Sequence, residues 1–138
     1  MSPELPILDM GFTSHLGVTF EEVSADGCVV RLDVDERHHQ PMGVIHGGVY
    51  CALVETAAST AGAMWAIEQG RAGVVGVANS TDFFRPQRSG TLEARATPVH
   101  RGRSQQVWQV TVNRLADGAL VARGQVRLHN LKGFQPPG

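Results

Sequence analysis

This chain of 138 residues has almost no net charge and few cysteines. The formal net charge is −1, so the composition offers no general attraction to nucleic acid or to anionic membranes. Its two cysteines, Cys28 and Cys51, form no metal-binding or redox spacing. The first ten residues include Glu4 and Asp9 and lack the basic region of a secretory signal. We therefore expect free thiols, a cytoplasmic location, and no metal, nucleic-acid or membrane partner.

Long apolar runs are also scarce, because the sequence contains a single one, within residues 38–67. This run is too long for one strand and is rich in alanine, a good helix former. It begins at a glycine-rich turn, His46-Gly47-Gly48. Apolar residues point in nearly every direction around it, which predicts a helix surrounded by protein. The acidic Glu55 inside the run argues against a transmembrane span.

The rest of the sequence shows strand patterns separated by turn residues. Two strands precede the long helix and four antiparallel strands follow it, which predicts a single α+β domain. A short helix or turn is expected at residues 7–15, a loop at 35–44 and a frayed tail at 132–138. The predicted strands cover residues 18–23, 28–34, 74–84, 90–100, 105–115 and 120–129.

Glu55 is the one acidic residue in the apolar run. An unpaired buried carboxylate is costly, so such a group usually has a partner, a raised pKa or a chemical task. The sequence of the helix leaves two interpretations open. Glu55 could pair with one of the arginines in the strands, or it could be a reactive group of an active site.

Five features form a pattern at the start of the run: Gln40, Gly43, His46-Gly47-Gly48, Glu55 and Ser59. This pattern resembles the active-site stretch of the hotdog-fold acyl-CoA thioesterases. Within them it resembles the PaaI-like group, and in particular the branch of the Arthrobacter-type 4-hydroxybenzoyl-CoA thioesterase.

Two later strings, Phe84-Arg85-Pro86 and residues 100–109, resemble the same group. The resemblance extends over about residues 16–131, which is nearly the whole chain. It implies a hotdog fold, in which a curved antiparallel sheet is wrapped around one long central helix. A bare His-Gly-Gly motif would be a weak signal, but here it stands in register with Gln40 and Glu55.

The resemblance also implies catalytic roles. The N–H of Gly47, at the start of the helix, would polarise the thioester oxygen, and Glu55 would act as nucleophile or as the base that activates water. Gln40 would contact the thioester. Ser59, one turn after Glu55, could hold water, bond the carboxylate or return its hydroxyl to a helix carbonyl. His46 could take part in the chemistry, or it could shape the start of the helix.

Coenzyme A has phosphates, which need local positive charge. Arg101 and Arg103 flank Gly102 in a predicted turn, with Ser104 next to them, and these four are the candidate CoA-binding residues. The alternative is that these arginines are ordinary solvated surface charges. The resemblance implies no metal or redox cofactor, since CoA enters as part of the substrate.

The implied function is hydrolysis of an acyl-CoA to a free acid and CoA. The acyl group would be aromatic or bulky, like 4-hydroxybenzoyl, phenylacetyl or dihydroxynaphthoyl. A non-catalytic acyl-CoA-binding module and a hotdog hydratase or dehydratase are the alternatives, although the latter would need an Asp/His pair. Gly47 and Glu55 lie roughly 12 Å apart along one helix. We therefore expect sites between the subunits of a homodimer, which would pair further into a dimer of dimers.

Overall fold

The computed structural model describes residue 8 and residues 10–133. A six-stranded antiparallel sheet curves around one long helix in it, so the predicted hotdog architecture is confirmed. The elements in chain order are α1 (Gly11–Leu16), β1 (Thr19–Ser24), β2 (Gly27–Val34), α2 (Gly47–Glu68), β3 (Val74–Phe83), β4 (Gly90–Arg101), β5 (Gln105–Arg114) and β6 (Leu120–Asn130).

The element boundaries follow the predicted turn residues. Each predicted strand is present and its ends differ from the prediction by about one residue at most. The predicted loop at 35–44 contains a 3₁₀ helix, Glu36–His38. Gly17 closes α1 in the left-handed conformation, with a φ of 81°. Residues 7 and 9 of the predicted first helix, and residues 134–138 of the predicted frayed tail at 132–138, lie outside the described residues.

One side of α2 packs closely against the sheet. Leu53, Ala57 and Ala61 are fully buried there, and small side chains allow the strands to approach the helix. A second stripe of α2, which includes Glu55 and Ser59, is only half-buried. The predicted burial on all sides is therefore wrong for this stripe, because the sheet ends beside it at the edge strand β3.

A buried polar cluster joins the second half of α2 to β5 and β6. Trp108 Nε1 donates a hydrogen bond of 2.7 Å to Gln106 Oε1. Gln106 Nε2 donates to the Gly62 carbonyl at 3.0 Å and to Asn130 Oδ1 at 2.7 Å. Fully satisfied buried networks of this kind fix one packing arrangement. They hold the helix in a defined register against the strands.

Strand β3 lies at one edge of the sheet, whose order is β1-β2-β4-β5-β6-β3. Its one neighbouring strand within the described residues is β6. Two of its valines, Val75 and Val77, are exposed to 46% and 54%. A long edge strand with exposed apolar side chains is usually covered by another chain or element.

Both cysteines are free thiols. Cys28 is buried in β2, and this burial, with a smaller contribution from the charge of Glu22, raises the pKa of its thiol to about 12. Such a thiol stays protonated at neutral pH and is a packing group rather than a reactive one.

Candidate active site

Glu55 lies on α2 with its carboxylate facing β3. The Ser59 hydroxyl donates a hydrogen bond of 3.0 Å to Oε2, and Asn79 Nδ2 donates one of 3.1 Å to Oε1. Gly76 leaves room for the carboxylate, since a Cβ at this position would lie 2.2 Å from Oε2. Within the part of the chain that the structure describes, no lysine or arginine pairs with Glu55. The alternative of a structural salt bridge therefore has no support.

The N-terminus of α2 is built by His46 and the two glycines that follow it. His46 is the N-cap residue, and its Nδ1 accepts a hydrogen bond of 2.8 Å from the Gly48 N–H. The imidazole ring thus stabilises the start of the helix, which agrees with the second of the two roles considered for His46. The backbone carbonyl of His46 accepts a hydrogen bond from the Val49 N–H at 2.9 Å. Among the described residues the Gly47 N–H has no hydrogen-bond partner, so it is available to a ligand.

A pocket of about 340 Å³ opens beside this helix terminus. The Phe83 ring lies directly over Gly47, where a Cβ would come within 2.4 Å of the ring. Tyr50 packs against Phe83 with 5.6 Å between ring centroids. Most of the pocket's lining residues are apolar or aromatic, and Gln40 and Arg85 are its polar and charged members. It is lined by Gln40, Ile45, Gly47, Tyr50, Phe83, Phe84, Arg85 and Pro86.

Tyr50 and Gln40 contribute differently to this pocket. The Tyr50 hydroxyl donates to the Arg85 carbonyl at 2.9 Å. Burial raises the pKa of Tyr50 to about 12, although the charge of Arg114 acts in the opposite direction. Tyr50 is therefore a neutral wall of the pocket and not a proton carrier near pH 7. Gln40 lies in the preceding loop, where its Oε1 accepts a hydrogen bond from the Met42 N–H.

The predicted catalytic residues fall into two groups within one chain. Gln40 and Gly47 line the pocket at the helix N-terminus, with His46 beside it, whereas Glu55 and Ser59 lie further along α2. Glu55 lies eight positions after Gly47 on the helix, which corresponds to about 12 Å along the axis. One chain could not easily supply both groups to a single substrate carbon, because reacting atoms must approach to about 3–3.5 Å.

The predicted CoA-binding residues lie at the other end of α2. A second pocket, of about 320 Å³, is lined by Trp65, Gln69, Arg71, Arg101, Gly102, Arg103 and Asn130. Ser104 is not among its lining residues, and its carbonyl accepts from the Asn130 N–H at 2.8 Å. The Arg71 guanidinium donates to the Arg103 carbonyl at 3.0 Å. Three arginines therefore meet at this pocket, and the sequence had suggested two of them.

Arg101 already has partners within the chain. Its guanidinium donates to Asp26 Oδ1 and to the Ala25 carbonyl, both at 2.9 Å. It also lies 5.9 Å from the Trp65 ring centroid and 6.0 Å from that of Trp108. These contacts attach the β1–β2 turn to the end of β4. Arg71 and Arg103 are consequently the freer cations of the pocket.

Asn79, Gly76 and Arg71 are site residues that sequence analysis missed. Asn79 offered a weak signal, since asparagine is depleted in strands and this one stands in the middle of β3. Gly76, within the same strand, offered another, because a strand glycine often marks a bulge or a close approach. Arg71 follows a helix end and gave no signal.

Within residue 8 and residues 10–133, no three His, Cys, Asp or Glu side chains are arranged to share a metal ion. No helix in the same part of the chain is long and apolar enough to cross a membrane.

Comparison with known proteins gives one family and several close relatives. The sequence model of the Thioesterase superfamily matches residues 42–121. The protein Rv1847 of Mycobacterium tuberculosis is 47% identical over 135 residues, covering 95% of this chain and 96% of that protein. Its solved structure has a TM-score of 0.86 and covers 90% of this chain and 98% of that one.

Two further relatives are thioesterases by name. Thioesterase HI1161 of Haemophilus influenzae is 34% identical, with a TM-score of 0.86 and coverage of 96% of this chain and 91% of that one. The proofreading thioesterase EntH of Klebsiella pneumoniae is 36% identical over 99 residues, covering 72% of this chain and 71% of that protein. The residues that the superfamily model matches include Gly47, Glu55 and Asn79, whereas Gln40 precedes them.

Proposed function

Because this chain belongs to the thioesterase superfamily and is a thioester hydrolase, we propose that it hydrolyses the CoA ester of an aromatic or bulky acid. The products are the free acid and CoA. The observation that carries the proposal is the Glu55 carboxylate, which has hydrogen bonds to both oxygens and no cation beside it. A carboxyl group oriented in this way, with no cation paired to it, suits the role of nucleophile or base.

Glu55 has two possible chemical roles at the thioester carbon. As nucleophile, one carboxylate oxygen forms a bond to that carbon, the C–S bond breaks, and the sulfur leaves as the CoA thiolate. Water then cleaves the resulting anhydride. As general base, Glu55 instead takes a proton from water, whose oxygen attacks the same carbon. In both routes the Gly47 N–H donates to the oxygen that becomes negative, aided by the positive end of the helix dipole.

A homodimer would bring the two groups of catalytic residues together. Two copies of α2, antiparallel across a two-fold axis, bring Gly47 of one chain close to Glu55 of the other and generate two equivalent sites. The exposed edge of β3, with Val75 and Val77, supports this assembly, because a second β3 would pair with its open backbone groups. Further pairing of dimers into a tetramer follows the same family pattern.

The pocket at the helix N-terminus supports an aromatic or bulky acyl group. Its walls include the rings of Tyr50, Phe83 and Phe84 and the side chain of Ile45. Aromatic rings of a ligand gain from offset or edge-to-face contact with such walls. This chemistry fits the 4-hydroxybenzoyl-CoA branch and its phenylacetyl and dihydroxynaphthoyl relatives. A CoA-ester substrate and the two free cysteine thiols also fit a cytoplasmic location.

A thiol-release assay tests the proposed function. Purified protein is mixed with acetyl-, palmitoyl-, phenylacetyl- and 4-hydroxybenzoyl-CoA, and free CoA thiol is measured with a chromogenic disulfide. We expect turnover with the highest kcat/KM for the two aromatic esters. Binding without thiol release would favour an acyl-CoA-binding module. In a parallel assay with crotonyl-CoA, loss of the enoyl absorbance without thiol release would favour a hydratase.

Arg71 and Arg103 are proposed to hold CoA phosphates, together with Arg101 and the backbone at Gly102. Replacing both Arg71 and Arg103 with alanine should raise KM for CoA esters by about tenfold and spare kcat, since a phosphate contact is the same in the ground and transition states. Added salt should also raise the KM of the wild type. Steady-state kinetics measures both effects.

The matched control is a substrate without phosphates. An N-acetylcysteamine thioester of the same acid should show equal KM values for the wild type and the double variant. Arg123→Ala, which removes an exposed cation at a distant pocket, should leave both substrates unaffected. An equal rise in KM for both substrates, or a loss confined to kcat, would show that Arg71 and Arg103 do not bind the CoA phosphates.

A further inference from the structure

Strand β3 carries a β-bulge beside Glu55. Alternate side chains of a regular strand face opposite sides, so Gly76 and Asn79, three residues apart, would point in opposite directions. The register of β3 against β6 shifts between Gly76 and Ala78, which adds one residue at Val77. As a result Gly76 pairs with the buried Leu128 and Asn79 with the buried Val126. The bulge therefore turns both residues toward α2.

Both polar atoms of the Asn79 carboxamide form hydrogen bonds in this arrangement. Its Nδ2 donates to Glu55 Oε1 and to the Cys51 carbonyl, both at 3.1 Å. Its Oδ1 accepts from the Thr81 hydroxyl at 2.7 Å. Because a carboxylate and a carbonyl can only accept, the NH₂ group must face the helix, which fixes the orientation of the amide. Three hydrogen bonds thus hold one side chain in one rotamer.

Two glycines make room for this chain of contacts. At Gly76 a Cβ would lie 2.2 Å from Glu55 Oε2, and at Gly124 of β6 a Cβ would lie 2.6 Å from Thr81 Oγ1. Gly124 is paired with Thr81 across the two strands. The strands β3 and β6 are therefore shaped around the line of side chains that runs from Thr81 through Asn79 to Glu55.

We propose that Asn79 is a positioning residue for Glu55, with Thr81 fixing the orientation of Asn79. The inference rests on the proposed function of Glu55 and extends it. Asn79 holds Oε1 while Ser59 holds Oε2, so the plane of the carboxylate is fixed by two donors from different elements. Neutral donors fix the plane without pairing the charge with a cation, which leaves the carboxylate reactive.

The consequence is that β3 prepares the carboxylate for attack. Without Asn79, Glu55 keeps its place on α2 but can rotate about its terminal bonds. Misplacement of a reacting group by about 1 Å can cost roughly 100-fold in rate. The loss should appear in kcat, because Asn79 contacts Glu55 and lines neither the pocket at the N-terminus of α2 nor the arginine pocket at its other end.

The test compares Asn79→Ala, Thr81→Val and Thr81→Ser with the wild type. For each protein, kcat and KM are measured with the CoA ester that the wild type hydrolyses best. We expect Asn79→Ala to lower kcat by roughly 10- to 100-fold with little change in KM. Thr81→Val keeps the shape but removes the donor to Asn79, so kcat should fall by several-fold, and Thr81→Ser should restore it. Ser80→Ala, on the opposite face of the same strand, is the control and should match the wild type.

The variant Asn79→Asp gives a further measurement, the pH profile, which a purely structural role of Asn79 would not change. Asn79→Asp brings a second carboxylate to hydrogen-bond distance of Glu55, and two carboxylates this close resist ionising together. The acid limb of the kcat/KM profile should therefore move to higher pH, while Ser80→Ala leaves it in place. Thermal unfolding of each variant separates lost positioning from lost fold.

The possible results distinguish a positioning role of Asn79 from a purely structural one. A fall in kcat with constant KM, together with the shifted acid limb, supports the positioning role. A rise in KM at constant kcat, or wild-type kinetics in folded Asn79→Ala and Thr81→Val, overturns it while leaving the hydrolase function intact. If Glu55→Gln itself retained the wild-type rate, the proposed role of Glu55 would fail first, and the inference about Asn79 would fail with it.

Discussion

Replacing Glu55 with glutamine is expected to lower kcat for CoA-ester hydrolysis by about 10³-fold or more, with the fold intact. Glutamine has the same shape and keeps an oxygen that can accept from Asn79 Nδ2, while its amide can donate to the Ser59 hydroxyl. What it lacks is the negative charge that attacks the thioester or accepts a proton from water. Single-turnover and steady-state thiol release both measure this loss.

The matched control is the other acidic residue of α2. Glu68, the last residue of the helix, is exposed, and Glu68→Gln removes the same charge from the same element. This variant should keep the wild-type kcat and KM. Glu55→Gln should still bind the substrate, as judged by calorimetry with a CoA ester. Steady-state hydrolysis by Glu55→Gln at the wild-type rate would show that Glu55 is neither the nucleophile nor the general base.

A second large effect is expected when two inactive variants are mixed. Gly47→Val should be inactive, because even a Cβ at this position would lie 2.4 Å from the Phe83 ring and would crowd the donor N–H. In a heterodimer with Glu55→Gln, one site combines two mutated halves and the other combines two intact halves. Random exchange makes half of the dimers mixed, so activity should return to about a quarter of the wild type.

The experiment needs reversible dissociation, for example by dilution in mild denaturant, followed by refolding of the mixture. Mixed dimers are confirmed with two affinity tags and tandem purification. Glu55→Gln mixed with Glu55→Ala is the control, because both variants lack the same half of the site and no pairing can restore it. If proven heterodimers of Glu55→Gln and Gly47→Val stay inactive, each chain must build its site alone.

Much of the architecture could be predicted from the sequence because its signals are local. Alanine-rich composition defines α2, turn residues bound the strands, and the spacing of Glu55 and Ser59 on a helix places them on one face. The hydrogen bond between these two side chains agrees with that spacing. The position of Gly47 at the first turn of a helix predicts a free N–H, whereas its role as a donor to the thioester was implied by the family resemblance.

Other parts of the site depend on contacts between distant segments, which a single sequence does not reveal. Regular alternation would place Gly76 and Asn79 on opposite faces of β3, and only the bulge in the pairing with β6 brings them together. Arg101 meets Asp26, which lies 75 residues earlier in the chain, because the β1–β2 turn packs against the end of β4. The half-buried stripe of α2 likewise follows from the position of β3 at the edge of the sheet.

The interval between Gly47 and Glu55 constrains how this sequence can change length during evolution. Each residue of an α-helix advances the chain by about 1.5 Å and turns it by about 100°. A single insertion or deletion within the interval would rotate one group against the other, so that either Gly47 leaves its pocket or Glu55 leaves Asn79 and β3. The β5–β6 turn at residues 115–119 lines neither the pocket at the helix N-terminus nor the arginine pocket, so its length is not restricted in this way. Insertions and deletions among relatives should therefore accumulate in this turn, while the first two turns of α2 keep their length.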